Sequence, residues 1–461
     1  MDGKTKLVDN RRMATHQISN NDSPAEVSFY QALLFWLKPG FISFGGPAGQ
    51  IAIMHEELVV RKRWISEKRF LHALNFCMVL PGPEAQQLAT YIGWLMHKTR
   101  GGVLAGVLFV LPSLFLLIAL SWVYMAWGEV PWVAGIFYGI KPAVTAIVFQ
   151  ASHRIGSRAL KNNLLWSIAG LSFVAIFVFN VPFPVIVISA AVLGYFLGRY
   201  APHLFQSSSG HASTSANKQS AWIDDDTPTP AHALFKWTRL IQVFAAGLLL
   251  WAIPMLWLFF IYGWDHTLMQ MSWFFTKAAL LTFGGAYAVL PYVYQGAVND
   301  FSWLSATQMI DGLALGETTP GPLIMVVAFV AFVGGYAKAF FGADAIFLAG
   351  TIAACFVTWF TFLPSFIFIL AGGPFIESTH QQIKLTTTLT AITAAVVGVV
   401  LNLALFFGYY VLWPQGLTGQ FDWISLILAL ASAVALFKYK ANVIHVIAVS
   451  ATIGVALTYL H

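Results

Sequence analysis

The sequence predicts an all-α polytopic membrane protein in which two homologous halves form inverted repeats with helices broken at Gly and Pro. Three observations predict this fold class. The chain is strongly apolar and contains long apolar runs, a block of motifs occurs twice at a constant spacing, and equivalent loops of the two halves differ in charge.

The composition is that of a multispanning helical protein. Of 461 residues, 58% are hydrophobic and 10% are charged, whereas a soluble domain carries about 25% charged residues. A helix needs roughly 20 apolar residues to cross a bilayer. Continuous runs of about that length, which exclude a β-barrel, are 102–127, 164–179, 241–262, 345–372 and 443–460. We therefore expect a multi-pass protein of the inner (plasma) membrane.

Polar segments divide the chain. Residues 1–27 lack the apolar core of a signal peptide and are predicted to be a retained cytoplasmic tail. Residues 28–200 and 236–461 are predicted to be the first and second transporter repeats. Residues 201–235 form a hydrophilic linker with a Ser/Thr-rich stretch and the run Asp224–Asp226. Such a composition buries too little apolar surface to order itself.

The internal repeat rests on three pairs of motifs, each separated by 239 positions. Ser43–Gly46 matches Thr282–Gly285, Trp64–Ser66 matches Trp303–Ser305, and Pro81–Pro83 matches Pro320–Pro322. Further on, Leu111-Pro112-Ser113 recurs as Leu363-Pro364-Ser365 at a different spacing.

Loop charge predicts the orientation of the repeats. The first loop carries basic residues at 61–63 and 68–69, whereas the equivalent segment 299–308 has no Lys or Arg and contains Asp300. Because Lys and Arg favour the cytoplasm, the two loops are expected on opposite faces. The single span 241–262 supplies the reversal, and inverted repeats are common in secondary transporters.

The Gly and Pro motifs predict a substrate site. Paired glycines and prolines break helices, and broken backbone at membrane depth must lie inside the protein or along water. A helix that restarts there offers free N–H groups to an anion. Close helix packing through small residues is the alternative reading, but repetition of the motifs favours a site. The predicted substrate-binding residues are Lys38, Ser43, Gly45, Gly46, Pro81, Gly82, Pro83, Gln86, Thr282, Gly284, Gly285, Thr319, Pro320, Gly321 and Pro322.

Two carboxylates in apolar segments, Glu84 and Glu317, are predicted to couple proton movement to transport, because intramembrane carboxylates are costly and usually functional. Glu84 has a second interpretation as a dipole partner in the first turn of a helix. Lys38 is expected to be their positive partner, with snorkelling to the interface as the alternative.

Motifs for enzymatic or metal chemistry do not stand out. His55-Glu56-Glu57 does not continue into the HExxH spacing of a zinc protease, and we predict no metal site, cofactor or catalytic residue. The sequence contains no nucleotide-binding motif, so an ATP-driven pump is not expected. The net charge of +6 comes mostly from loop residues, so it reports membrane orientation. We expect no nucleic-acid partner.

The motifs resemble those of the chromate ion transporter family. The residues that carry the resemblance are 41–47, Trp64, 80–87 and 91–94, together with 316–322 for the second domain. The chain is similar to the long, two-domain members. The resemblance implies efflux of chromate driven by a proton or other ion gradient, chromate resistance, and competition by sulfate, an isosteric dianion.

Other functions remain open at this point. The chain could transport or exchange sulfate or another inorganic anion, or form a passive channel. An integral-membrane enzyme acting on lipids would need clustered acidic metal-binding motifs, and the only acidic cluster, Asp224–Asp226, lies in the linker. We therefore predict that the protein is not an enzyme. The expected partners are the bilayer, chromate, sulfate and a coupling proton, and a homodimer is one option for assembly.

Overall fold

A computed structural model describes residues 26–43, 46–200, 220–228, 230–379 and 386–460, and these residues form helices with no β-strand beyond one isolated bridge. The first half contains α1 Phe29–Ile42, α2 Gly46–His55, a π-helical turn Glu56–Arg61, α3 Glu67–Val79, α4 Glu84–Trp127, α5 Pro131–Ala159, α6 Asn163–Phe177 and α7 Phe183–Tyr200. The helix α8, Trp237–Tyr262, follows the linker.

The second half repeats this series. It contains α9 Thr267–Leu281, α10 Ala286–Tyr294, a π-helical turn Gln295–Asp300, α11 Ala306–Thr318, a 3₁₀ turn Leu323–Met325 leading into α12 Val326–Lys338, a 3₁₀ turn Ala343–Ala345 leading into α13 Ile346–Thr379, α14 Thr386–Leu412, α15 Trp423–Phe437 and α16 Val443–Leu460. Seven helices of the described chain are long and apolar enough to cross a membrane: α4, α5, α7, α8, α13, α14 and α16.

The repeat extends to backbone detail. The two π-helical turns begin and end 239 positions apart, as do α3 and α11. Arg63 and Ser302, also 239 apart, both have positive φ, at 51° and 49°. Asn180 and Lys440 share a φ of 50°, and their spacing of 260 also relates α6 to α15 and α7 to α16. The fold class predicted from the sequence is confirmed.

The Gly and Pro motifs divide each repeat into short helices. The helices α1, α2 and α3 contain 14, 10 and 13 residues, fewer than the roughly 20 that a spanning helix needs. A kink at His97 and Lys98 likewise makes the first part of α4 short. The motif segments are therefore half-length helices that turn back within the protein.

The equivalent hairpins lie at opposite ends of the bundle. The loop that follows the first π-helical turn bonds to the linker, where Trp222 N–H donates to the Arg63 carbonyl oxygen at 3.0 Å. The second π-helical turn contacts the start of α7, where Phe183 N–H donates to Gln295 Oε1 at 3.2 Å. We call the end that carries Arg63 the basic end, because Arg61, Lys62, Arg69, Lys98 and Arg100 lie there too.

The two halves exchange their last hairpins. The helices α15 and α16 pack against α5 of the first half, and α6 and α7 pack against α14 of the second. Glycines permit the close approach: a Cβ at Gly139 would collide with the backbone of Gly454, and one at Gly194 would collide with Thr388 and Ala391. Gly194 and Gly454 are themselves 260 positions apart, so both exchanges use the same contact.

Part of the linker is ordered, contrary to the expectation from its composition. Residues 220–228, which we call the strap, lie on the loop before α3, and Ile223 forms a parallel bridge with Ile65. Ile223 N–H donates to the Trp64 carbonyl oxygen, and Ser66 N–H donates to that of Ile223, both at 3.0 Å. The linker contains a short apolar stretch, Ala221–Ile223, that its polar overall composition hid. This stretch is ordered because Ala221 and Ile223 are buried, with 4% and 5% of their surface exposed. Residues 201–219, like residues 1–25 of the predicted tail, lie outside the described residues.

Candidate functional site

A cavity of about 1470 Å³ lies between the two halves. The first half lines it with α2, α3, the first residue of α4 and the end of α5. The second half lines it with the break between α9 and α10 and with the start of α14. His55, Glu56 and Glu67 place its mouth at the basic end, and Glu84 and the segment Phe283–Tyr287 line it where the broken helices meet.

The two hairpins differ in environment although their backbones match. The helices α2 and α3 line the cavity and include exposed residues. In the equivalent hairpin, every residue of α10 is buried, and α11 is buried from Met309 to Glu317. The structure is thus open beside the first hairpin and closed around the second.

The Pro-Gly-Pro turns join the halves and do not line the cavity. Gly82 N–H donates to the Thr282 carbonyl oxygen at 2.7 Å, and Gly321 N–H donates to the Ser43 carbonyl oxygen at 3.0 Å. Gly82 and Gly321 have φ values of 129° and 105°, a region that favours glycine. Gln50 Nε2 also donates to the Gly321 carbonyl oxygen at 2.5 Å. The backbone N–H groups of Gly82 and Gly321, which were expected to face an anion, are therefore already hydrogen-bonded across the repeats.

The remaining predicted binding residues fall into two groups. Gly284 and Gly285 line the cavity, directly before the N-terminus of α10. The others are buried nearby, outside the cavity lining: Ser43, Gly46, Pro83, Gln86, Thr282, Thr319, Pro320 and Pro322 are buried, and Pro81 is partly buried. Gly45 lies outside the described residues.

The two predicted coupling carboxylates reach the cavity differently. Glu84 lines it from the first turn of α4. Glu317, which is 4% exposed, accepts a hydrogen bond from the Tyr287 hydroxyl group, and Tyr287 lines the cavity. Both side chains therefore adjoin the same space from different halves.

Lys38 is not the positive partner of either carboxylate. Its Nζ forms an ion pair with Glu57 Oε1 at 3.0 Å, and this hydrogen bond holds the pKa of the Glu57 carboxyl group below its ordinary value. Lys38 is 52% exposed and does not line the cavity. The sequence-based pairing was wrong because Pro39 lies within α1 without ending it, so Lys38 stays beside the π-helical turn of its own repeat.

Three cations that the sequence analysis did not select line the cavity: Arg154 and Arg158 from the end of α5, and Lys161 just beyond it. Arg154 interacts electrostatically with Glu317 and Tyr287. The four-residue spacing of Arg154 and Arg158 was visible in the sequence, since it puts both on one helical face. Basic residues at the end of an apolar helix are equally explained by membrane orientation, so that signal was not specific.

A buried ion pair also escaped the sequence analysis. Asp311, 2% exposed in α11, accepts a hydrogen bond from the Tyr124 hydroxyl group at 2.9 Å and lies 3.5 Å from Lys141 Nζ. These contacts connect the closed second hairpin to α4 and α5 of the first half. At the other end, Glu377 of α13 accepts a hydrogen bond from Tyr91 at 2.5 Å and lies 3.7 Å from Arg69 of α3.

Within the described residues, no group of three or more His, Cys, Asp or Glu side chains could hold a metal ion. The cavity lining itself offers cationic side chains, carboxylates and the backbone N–H groups at the start of α10.

Comparison with known proteins places both halves in one family. The family model described as chromate transporter matches residues 30–195 and 269–455. A chromate transport protein of Pseudomonas aeruginosa is 32% identical over 383 residues, covering 82% of this chain and 80% of the relative. A chromate transport protein of Cupriavidus metallidurans is 27% identical over 414 residues, covering 89% and 88%.

A shorter relative matches over a length close to that of one repeat. An uncharacterized transporter of Bacillus subtilis is 27% identical over 182 residues, which covers 39% of this chain and 99% of the relative. No solved structure matches the chain.

Proposed function

This chain belongs to the chromate transporter family, and we propose that it is a secondary transporter that exports chromate from the cytoplasm and thereby confers chromate resistance. The observation that carries this proposal is the cavity between two inverted repeats, which is open beside one hairpin while the equivalent hairpin is buried. A transporter needs such a pair of environments, because its site must face one side at a time.

Exchange of these environments provides a transport cycle. The two hairpins share their backbone geometry down to the π-helical turns, and in this cycle each would adopt the environment of the other. Opening of α10 and α11, with closure of α2 and α3, would move access to the opposite end. Rocking of one repeat against the other around a fixed site is the usual cycle of inverted-repeat transporters.

Loop charge supports the export direction. The cavity opens at the basic end, and Lys and Arg at membrane boundaries favour the cytoplasm. In this orientation the described conformation accepts an anion from the cytoplasm. Glu84 and Glu317 adjoin the cavity, and we propose that they carry the coupling protons.

The cavity suits a tetrahedral dianion. The segment Gly284–Tyr287 lines it at the N-terminus of α10, where helix N–H groups and the helix dipole favour negative charge. Chromate and sulfate have the same shape and charge, and no contact of the cavity separates them. Sulfate is therefore expected to compete with chromate.

Flux measurements in oriented vesicles test this function. Inside-out vesicles containing the protein should accumulate labelled chromate, excess sulfate should slow the uptake, and a protonophore should abolish the accumulation. Vesicles with the Gly82→Leu variant provide the control for leak. Uptake of sulfate but not chromate would identify a sulfate transporter instead, and flux that ignores every ion gradient would identify a channel.

A further inference from the structure

We propose that Arg154 and Arg158, together with Lys161, form a capture site for a tetrahedral dianion at the basic end of the cavity. The inference rests on the proposed function and identifies the residues that select a dianion. None of the three was selected by the motifs that define the repeat.

Their placement is the first argument. Arg154 and Arg158 lie one turn apart on α5 and line the same cavity as Lys161, Glu84 and Gly285. Arg158 and Lys161 are exposed, whereas Arg154 is partly buried. This gradient of exposure forms a path from the open end towards the Tyr287–Glu317 pair, with which Arg154 interacts electrostatically.

The pairing of charges is the second argument. Within the described residues, no ion pair involves Arg154, Arg158 or Lys161. In the same cavity, Glu56 is paired with Arg61 at 3.1 Å, and Glu67 is paired with His55 at 2.6 Å.

The cavity lining thus holds three carboxylates, Glu56, Glu67 and Glu84, beside the three cations. Glu56 and Glu67 each have a side-chain partner, whereas the three cations form no ion pair among the described residues, so their N–H groups are available to an anion that enters from the open end. Guanidinium groups in particular suit tetrahedral oxyanions, since their planar N–H groups can bind two oxygens at once.

The difference between the repeats is the third argument. The equivalent stretch of the second half, which runs from the end of α14 to Asp422 at the start of α15, contains no Lys or Arg. If these cations served only packing within the repeat, a counterpart would be expected there. Membrane orientation alone accounts for basic residues at this end, but these three also line the cavity, where they can meet an anion from the open side.

The test compares Arg154→Gln and Arg158→Gln with Arg154→Lys, Arg158→Lys and the control Arg100→Gln. Arg100 is exposed near the basic end and does not line the cavity. Calorimetric binding of sulfate and of chromate to the purified protein, and KM and Vmax of chromate flux at several salt concentrations, are measured for each.

Each Gln variant should bind both dianions about tenfold more weakly, the loss expected for one charge-assisted contact. Arg158→Gln should raise KM, leave Vmax within about twofold and reduce the salt dependence of flux, as expected for a steering charge. The Lys variants should retain most of the binding, and Arg100→Gln should match the wild type. Unchanged binding in both Gln variants would overturn the inference.

A cysteine at position 158 gives a second readout that needs no transport. Because Arg158 is exposed, Arg158→Cys in a Cys77→Ala, Cys355→Ala background should fold, and sulfate, which unlike chromate does not oxidise thiols, should slow its reaction with an anionic thiol reagent. Equal rates with and without dianion would also overturn the inference. If the wild-type protein transports sulfate alone, or no anion, the proposed function is contradicted. If the wild type transports chromate and the variants bind dianions as tightly as it does, only the capture site is contradicted.

Discussion

The backbone N–H group of Gly82 donates a hydrogen bond to the carbonyl oxygen of Thr282, 2.7 Å away in the opposite repeat. The repeat-related bond, from Gly321 to Ser43, has a length of 3.0 Å. Ser365 lies where a side chain at Gly82 would project, and Ser113 occupies the corresponding place at Gly321. The halves are therefore joined at two equivalent points, each formed by the turn of one repeat and the break of the other.

Substitution of Gly82 should impair transport without preventing membrane insertion. A Cβ there would meet Ser365 Oγ and Gln87 Nε2, and the φ of 129° costs a non-glycine residue about 1–3 kcal/mol. We expect Gly82→Leu to abolish chromate flux and Gly82→Ala to reduce both flux and thermal stability in detergent. Gly321→Ala should behave alike. The control is Gly170→Ala, whose Cβ meets no atom within 4 Å, and normal flux in Gly82→Leu would contradict the joining role.

Loss of Lys141 should destabilise the closed end of the protein. Its removal leaves the Asp311 carboxylate, whose side chain is 3% exposed, without a counter-ion, and breaking a buried pair costs about 3–5 kcal/mol. Lys141→Met should therefore lower the unfolding temperature clearly, and Lys141→Met combined with Asp311→Leu should recover part of the loss. Thermal unfolding of the two single variants and the double variant measures the coupling, and additive losses would contradict it.

Replacement of Glu317 by Gln should weaken the coupling of protons to anion transport. Gln mimics the protonated carboxyl group and can still accept the hydrogen bond from Tyr287, so anion exchange across the membrane should persist. Accumulation driven by a pH gradient should fall, and the exchange rate should depend less on pH, with Glu84 left as the second proposed carrier. Tyr287→Phe is the control for loss of the hydrogen bond to Glu317 alone. Glu84→Gln tests the other carboxylate in the same way. A pH profile identical to the wild type would exclude the substituted residue as proton carrier.

Thiol labelling should place equivalent loops on opposite membrane faces. In a Cys77→Ala, Cys355→Ala background, Lys62→Cys and Ser302→Cys introduce exposed thiols in the two loops. A membrane-impermeant reagent added outside intact cells should label position 302 and leave position 62 unlabelled until the membrane is opened. Labelling of both positions in intact cells would refute the inverted arrangement.

The sequence was most informative where the backbone departs from a regular helix. Gly and Pro leave visible marks, so the offset of 239 predicted the helix breaks around Gly46, Gly82 and Gly285. It could not show which breaks face the cavity. Gly284 and Gly285 line it, whereas the Pro-Gly-Pro turns form hydrogen bonds between the halves. That difference depends on how the halves dock, which no local pattern encodes.

The cations of α5 were missed for a related reason. Whether Arg154 faces lipid, water or a cavity depends on the packing of α5 against α14, α15 and α16. That packing is set by small residues such as Gly139, on α5 itself, and Gly454, which lies far from Arg154 in the sequence. The pairing of Lys38 with Glu57 likewise depends on a helix that continues through Pro39.

The exchange of the last hairpins has a consequence for shorter chains. A polypeptide ending after α7 would keep α6 and α7 but lack the α14 surface that they cover, and its α5 would lose α15 and α16. Both surfaces would then be left uncovered, and a second copy inserted in the opposite orientation could cover them. A chain truncated after Tyr200 is therefore expected to be stable only beside an oppositely oriented partner.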